Sequence, residues 1–220
     1  MSYLIRVLLP DAPGSLGSLA EAFGQVDANI QSVDIVESFP DGTVMDDIVV
    51  SLPTGVMADS LVSAANQCDG VLVDSIRPFS GRVDRRGQIE MLADVASFAN
   101  NPQQAMERLV ATTPQSMTAT WAIVLDTSTP VHRVAASSAA PEDSGLSPKT
   151  IPVEHARVLL ADSEEWIPSS WGLLESRLAA TPLVGTSLVL VVGRTAGPDF
   201  LASEVDHLGL LGKIVGKVLS

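Results

Sequence analysis

The order of apolar and polar positions predicts four strands and two helices in the first 80 residues. The predicted elements are a strand at 3–9, a helix with the apolar stripe Leu16, Leu19, Ala20 and Phe23, strands at 30–37 and 43–52, a helix with Leu61, Ala65 and Cys68 on one face, and a strand at 71–78. Pro40-Asp41-Gly42 predicts a hairpin turn. The resulting βαββαβ order is the ferredoxin-like arrangement, an α+β fold.

A polar, glycine-containing stretch follows this pattern, and we interpret 81–86 as a linker between domains 1–80 and 87–220. The second domain is predicted to open with two helices, the first with Ile89, Leu92, Ala93 and Ala96 on one face, the second capped by Asn101 and carrying Ala105, Met106, Leu109 and Val110. Strands are predicted at 117–126, 131–137, 177–183 and 186–194, a short helix from Pro152, and a closing helix at 199–219.

Charge is unevenly distributed along the chain. Residues 1–80 hold two basic and eleven acidic side chains, a net charge of −9, against −4 for residues 81–220. Such an acidic surface repels phosphate backbones, so we expect no nucleic-acid partner. The amino terminus lacks a basic stretch before an apolar core, and apolar runs such as 188–192 are far shorter than the roughly 20 residues of a membrane span. We therefore expect a cytoplasmic protein with no membrane partner.

The turn after the first strand reads Asp11-Ala12-Pro13-Gly14-Ser15-Leu16, and Asn29-Ile30 starts the second strand. With the βαββαβ order, these motifs make residues 3–79 resemble the ACT family. The resemblance implies a homodimer that binds a free amino acid between paired domains. The implied ligand-binding residues are Asp11, Ala12, Pro13, Gly14, Ser15, Leu16, Asn29 and Ile30, with Asp11 and Asn29 as the polar anchors.

Each of these residues also has a purely structural interpretation. Asp11 could cap the helix, Gly14 could permit the turn, and Asn29 could occupy a position with positive φ. Some relatives carry Asn at the position of Asp11, and a carboxylate there favours a cationic ligand group.

Residues 87–219 resemble a GAF-like or PAS-like sensor domain, with GAF the nearer match. A GAF-like domain is an α/β sandwich around a central antiparallel sheet, and the resemblance is clearest in the final forty residues. The resemblance rests on Pro182-Leu183-Val184-Gly185, followed by an apolar strand, Gly197-Pro198-Asp199-Phe200 and a terminal helix. The resemblance implies a small-molecule pocket beneath the crossover segment 138–176, where Trp166 and Trp171 could line it. The alternative is that both tryptophans only close the core. The Asn-Lys…Phe-Asp-Glu signature of cyclic-nucleotide-binding relatives is absent.

Catalytic motifs are missing from the sequence. It contains no Gly-x-Ser-x-Gly elbow, phosphate-binding loop, dinucleotide fingerprint or His-Glu-x-x-His. Cys68 is the single cysteine, which excludes an intrachain disulfide and a cysteine zinc site. Asp46 and Asp47 are adjacent in a strand, so their side chains should point to opposite faces and not share a metal ion. We expect no enzyme activity, metal or cofactor, and a surface position for His132, His155 and His207.

The function predicted from these patterns is a regulatory sensor that binds an amino acid through a dimeric ACT domain. The GAF-like domain would bind a further small ligand or a protein partner that the sensor regulates. The alternative is an interaction module that dimerises through both domains without a ligand. The sequence does not identify the ligands or the regulated target.

Overall fold

The computed structural model describes residues 1–79, 85–143, 145 and 148–220. The chain divides into two compact units, Met1–Asp84 and Arg85–Ser220. Most of the predicted linker, 81–84, lies outside the described residues, and a helix already begins at Arg85 within the remainder. None of the helices in the described residues is long and apolar enough to cross a membrane.

The first unit has the predicted order of strands and helices. Its elements are β1 (Ser2–Pro10), α1 (Ser15–Gln25), β2 (Asn29–Ser38), β3 (Thr43–Ser51), α2 (Asp59–Ala65) and β4 (Leu72–Pro78). The strands form one antiparallel sheet in the order β2-β3-β1-β4, so β2 and β4 are its edges. One face of this sheet shares a buried core with both helices.

Two predicted helical faces in this unit are wrong in detail. In α1 the buried residues are Leu19, Ala22 and Phe23, whereas Leu16 and Ala20 are exposed. A helix of 11 residues offers two overlapping stripes, and the core selects the one centred on Phe23. Helix α2 ends at Ala65, so Cys68 lies in the turn that follows it.

The second unit places five strands between a helical layer and an irregular layer. Its elements are α3 (Arg85–Ser97), α4 (Pro102–Ser116), β5 (Trp121–Asp126), β6 (His132–Ala136), β7 (Arg157–Leu159), a 3-10 helix (Ser169–Glu175), β8 (Arg177–Pro182), β9 (Leu188–Arg194) and α5 (Ala202–Leu219). All neighbouring strands are antiparallel, in the order β6-β5-β9-β8-β7.

Alternation along β5 divides the second unit into two cores. Ala122 and Val124 face a core shared with α3, α4 and α5. Trp121, Ile123 and Leu125 face the other core, which the irregular segments between β6 and β8 cover. The predicted stripe of α4 is confirmed, since Ala105, Met106, Leu109 and Val110 are all buried, and the Asn101 side chain accepts a hydrogen bond from the Gln104 backbone N–H.

Three predictions for the second unit are wrong. Met91 and Val95 are the buried residues of α3, while Ile89 is 66% exposed and Ala93 and Ala96 are exposed as well. The strand predicted from residue 117 begins only at Trp121, because α4 continues to Ser116 and Thr118 has a left-handed φ of 47°. No helix follows Pro152; the chain there runs into the edge strand β7.

A buried arginine joins the end of β9 to the helical layer. The guanidinium of Arg194 is fully buried and donates to the backbone oxygen and hydroxyl of Thr118, at 3.0 and 2.8 Å. It also donates to Glu204 Oε1 at 2.6 Å and lies 4.1 Å from the centre of the Phe200 ring. These contacts fix the start of α5 against β9.

Glycines let α5 approach the chain segment after β8. The backbone N–H of Val184 donates to the Gly212 oxygen at 3.2 Å. A Cβ atom at Gly212 would lie 2.5 Å from the Pro182 oxygen, and one at Gly216 would overlap the backbone N and O of Val184. Glycine at these two positions is therefore required by the close contact between backbones, not by unusual φ angles.

We expect Gly216→Ala to destabilise the second unit by about 3 kcal/mol, because the clashing atoms belong to backbone and cannot rotate away. Urea denaturation followed by circular dichroism measures the change. Gly17→Ala in α1 is the matched control: no heavy atom lies within 4 Å of its added Cβ, and this helix should gain up to about 1 kcal/mol. Equal effects of the two substitutions would refute the role of close packing.

Candidate functional site

The turn after β1 brings Asp11, Pro13 and Gly14 together at one end of the first sheet. The Asp11 backbone N–H donates to the Gly42 oxygen at 2.8 Å. Gly14 has a φ of 98° and occupies the position before α1, and no side chain caps this helix. The structural interpretation of Gly14 as a turn former therefore holds, whereas Asp11 does not cap the helix and its carboxylate is left at an exposed turn.

Asn29 and Ile30 lie at the opposite end of the same sheet. Asn29 pairs with Ser51, which in turn pairs with Ser2 at the start of β1. Asp11 follows the other end of β1, so about nine strand residues, or about 30 Å, separate the two anchors. Asn29 is exposed and lacks a positive φ; Asp27 is the left-handed residue here. One copy of the chain therefore does not assemble the predicted amino-acid site.

The first unit contains a buried carboxylate whose burial the sequence pattern did not predict. Asp46 on β3 is fully buried on the helix-covered face, between Val7 of β1 and Ile35 of β2. Neither of its oxygens has a hydrogen-bond partner. Burial, together with the negative charges of Asp34, Asp47 and Asp11, raises the pKa of Asp46 to about 6. The described residues thus supply this carboxylate with neither a hydrogen-bond donor nor a stabilising positive charge.

Asp47, the next residue, points to the other face and is fully paired. Arg6 Nε and Nη2 donate to its two carboxylate oxygens at 2.7 and 2.8 Å, and both side chains are buried. The prediction that Asp46 and Asp47 do not share a metal ion is thus supported by their geometry. No cluster of three or more potential metal ligands occurs among the described residues.

A groove of about 590 Å³ runs along α1 toward the turn at Cys68. Of the predicted ligand-binding residues, Pro13, Gly14 and Ser15 border it, and Asp11 and Asn29 do not. Burial and the charge of Asp69 raise the pKa of the Cys68 thiol, so this cysteine is not an activated nucleophile.

The second unit contains a smaller and more enclosed cavity of about 140 Å³ beneath the crossover segment. Its apolar walls include Leu125 of β5, Val131 just before β6, and the predicted residues Trp166 and Trp171. Trp171 is also buried in the core, with its ring 5.9 Å from Trp121 and 6.2 Å from Trp166. The two interpretations of the tryptophans are therefore compatible, because Trp171 closes the core and forms a cavity wall.

The polar groups on the cavity walls come from residues that no sequence motif marked. Arg133, Glu142 and Asp143 line the cavity, and Arg133 Nη1 donates to the Pro141 oxygen at 2.7 Å. Arg133 Nε and Trp171 Nε1 are both buried and have no hydrogen-bond partner. Asp143 Oδ2 lies 3.9 Å from Arg133 Nε, so the two side chains form a loose ion pair without a hydrogen bond.

A carboxylate holds Trp166 in the cavity wall. Glu164 accepts hydrogen bonds from Arg157 Nη1 and Nη2 at 2.8 and 2.6 Å, from the Leu160 backbone N–H at 2.9 Å and from Trp166 Nε1 at 2.8 Å. The hydrogen bonds from Arg157, with those from Leu160 and Trp166, lower the pKa of Glu164 to about 2. Glu164 is therefore ionised at any physiological pH, and its hydrogen bonds hold Arg157 and Trp166 in place.

The three histidines are exposed, as predicted. His132 lies beside the cavity, His155 precedes β7 and His207 lies on α5. The Nδ1 atom of His132 is 3.1 Å from the Pro130 oxygen, a contact within its own turn.

Comparisons with known proteins find no matching family model and no similar curated protein. Solved structures that resemble the chain include the GAF domains of phosphoenolpyruvate-protein phosphotransferases from Coxiella burnetii and Acinetobacter. The Coxiella domain has a TM-score of 0.45 and 13% sequence identity, and the match covers 61% of this chain and 93% of that domain. The Acinetobacter domain has a TM-score of 0.45 and 15% sequence identity, and the match covers 60% of this chain and 92% of that domain. The free methionine-R-sulfoxide reductase from Neisseria meningitidis gives 0.44 at 14% over 64% and 95%. Likeness at this level carries no inference about function.

We expect Asp46→Asn to stabilise the protein at pH 8 and to have little effect at pH 4. The pKa of this carboxyl is about 3.9 in the unfolded chain and about 6 in the fold, so its contribution to stability is present below pH 4 and is lost as the pH rises through 6. The difference of about 2 pKa units corresponds to roughly 3 kcal/mol above pH 7.

Urea denaturation at pH 4, 6 and 8 measures this effect, and Asp47→Asn is the matched control from the opposite face. Because it removes the charge that faces the buried Arg6, the control should destabilise the protein at pH 8. Loss of stability at pH 8 in the Asp46 variant would show that this carboxylate has a favourable partner after all.

Proposed function

We propose that the chain is a non-catalytic regulatory protein with one ligand site in each unit, an ACT-like amino-acid site in the first and a GAF-like small-molecule site in the second. The observation that carries this proposal is the cavity of about 140 Å³ in the second unit, because two side chains on its wall keep buried N–H groups without partners. A buried unsatisfied donor costs roughly 1–3 kcal/mol. A ligand with acceptor atoms would remove that cost.

The chemistry of the cavity wall supports binding and not nucleophilic catalysis. The described lining residues include no serine, threonine, cysteine or lysine. His132 is the only histidine among the described lining residues, and it is exposed. Without a nucleophile beside a base, the wall offers shape, a positive charge and hydrogen bonds. A bound ligand would contact Glu142, Asp143 and Trp166 of the crossover segment and so change the surface that a regulated partner protein meets.

In the first unit, pairing of two copies would create the site that one copy lacks. Strand β2 is an edge of the sheet, and Val33 and Ile35 on it are 41% and 59% exposed. Two β2 strands related by a twofold axis run antiparallel, so the start of one strand lies beside the end of the other. Asn29 of one copy would then reach the end of the joint sheet where the other copy carries Asp11. This arrangement supports an amino-acid site between two chains.

The protein should therefore be a homodimer of twice its 23.0 kDa chain mass, and Ile35→Asp should dissociate it, because a charge on an edge strand opposes strand pairing. Sedimentation velocity at micromolar concentration measures the mass. Leu72→Asp is the matched control on the other edge strand, β4, where the leucine is 62% exposed, and it should remain dimeric. A monomeric parent protein, or dissociation by the β4 substitution alone, would contradict pairing through β2.

We expect one of the twenty amino acids to raise the melting temperature of the full chain, and Asp11→Ala and Asn29→Ala each to weaken its binding about tenfold or more. Calorimetric titration measures the affinities.

The two variants should complement each other. When they are mixed and re-equilibrated, they form heterodimers in which one site is intact and the other carries both substitutions. Recovery of tight binding at up to half of the sites of each heterodimer is the expected result. Tight binding in the separate variants, or no recovery on mixing, would refute the site between two chains.

A further inference from the structure

The wall of the cavity in the second unit carries two residues with unmatched hydrogen-bond donors. The donors are Arg133 Nε and Trp171 Nε1, both buried and without a hydrogen-bond partner. One carboxylate group could satisfy both donors, because each of its two oxygens can accept a hydrogen bond. Water could satisfy one of them, but a cavity of about 140 Å³ is much larger than the space a single water needs.

Negative charge lies on the same cavity wall. Glu142 and Asp143 line it from the crossover segment and are exposed to solvent, and Asp143 Oδ2 is 3.9 Å from Arg133 Nε. These two carboxylates repel a ligand that carries only a carboxylate, and Arg133 repels a ligand that carries only an ammonium group. A zwitterion whose ammonium and carboxylate groups are bonded to the same carbon atom offers one charge to each set of groups.

The remaining walls define the rest of the ligand. Leu125, Val131, Trp166 and Pro168 form an apolar surface next to the charged groups. The cavity is smaller than the roughly 300–1,000 Å³ of pockets for drug-sized ligands. A short aliphatic or thioether side chain fits this surface, whereas a charged side chain would lose its hydration there without a partner.

We propose that this cavity binds a free α-amino acid with an apolar side chain. Its carboxylate accepts from Arg133 and Trp171, its ammonium group donates to Glu142 and Asp143, and its side chain lies against Leu125 and Trp166. This inference rests on the proposed function of the second unit as a small-ligand sensor. It places a second amino-acid site on the chain, separate from the one that Asp11 and Asn29 form between two copies.

The test uses the full chain and its tryptophan fluorescence, because all three tryptophans belong to the second unit and form one aromatic group. L-Leucine, L-methionine and L-valine are titrated beside 4-methylpentanoate, which lacks the ammonium group of leucine, and isopentylamine, which lacks the carboxylate. At least one amino acid should bind saturably, and the two leucine analogues should bind at least about tenfold more weakly than leucine. Failure of all three amino acids to bind would overturn the proposal.

Variants locate the binding. Trp171→Phe keeps an aromatic ring and removes one donor, and Asp143→Asn removes one charge; each should weaken binding about tenfold. The matched controls are Trp121→Phe, in the same aromatic group but not on the cavity wall, and Asp162→Asn, an exposed residue that does not line it. Both controls should bind as the parent does. Equal weakening by Trp121→Phe and Trp171→Phe would overturn the assigned contact.

Two further outcomes separate this inference from the proposed function. If 4-methylpentanoate binds as tightly as leucine and Trp171→Phe weakens both, the cavity is a carboxylate site: the sensor function stands and the amino-acid inference fails. If amino-acid binding is lost in Asp11→Ala but unchanged in Trp171→Phe and Asp143→Asn, the ligand occupies the first unit. That result would also overturn the second site while supporting the first.

Discussion

The second unit depends on the burial of one positive charge, the guanidinium of Arg194. A charge of this kind is tolerated inside a protein only when its donors are matched. Its partners come from three separate segments: Thr118 before β5, the oxygens of Pro198 and Asp199, and Glu204 in the first turn of α5. Satisfying this single group therefore fixes both the entry into the central strands and the position of the closing helix.

Fixing the helical layer in this way determines where a cavity can form. Helices α4 and α5 fill one face of the sheet with closely packed side chains, and Gly212 and Gly216 allow backbone contact there. The other face is covered by irregular chain, which carries its own polar groups and fills space less regularly than a helix. Glu164 orders this cover by accepting four hydrogen bonds, so the wall with Trp166 is firm although it contains little regular structure.

The sequence predicts elements well where one physical cause determines them. Asn101-Pro102 and the stripe of α4 are confirmed because a cap and an amphipathic face act locally. Leu16 and Ile89 were assigned to buried faces and are exposed, since a short helix has more apolar residues than its core contact can cover. Of the cavity residues, Trp166 and Trp171 could be predicted as large side chains in an irregular segment. Arg133 could not, because its role depends on the folding of residues 141–143 back onto β6, a contact that no local pattern encodes.

The two units have opposite deficits. In the first, a buried acceptor, Asp46, lacks a donor; in the second, buried donors on Arg133 and Trp171 lack an acceptor. Neither deficit stabilises its unit, since each buried group loses its hydration without compensation. At Asp46 a proton supplies the missing donor, so the first unit responds to pH. At Arg133 and Trp171 a proton cannot help, because the missing group is an acceptor. Under the proposed function, the acceptor atoms of a bound ligand would complete that wall, and the stability of the second unit would then depend on ligand concentration.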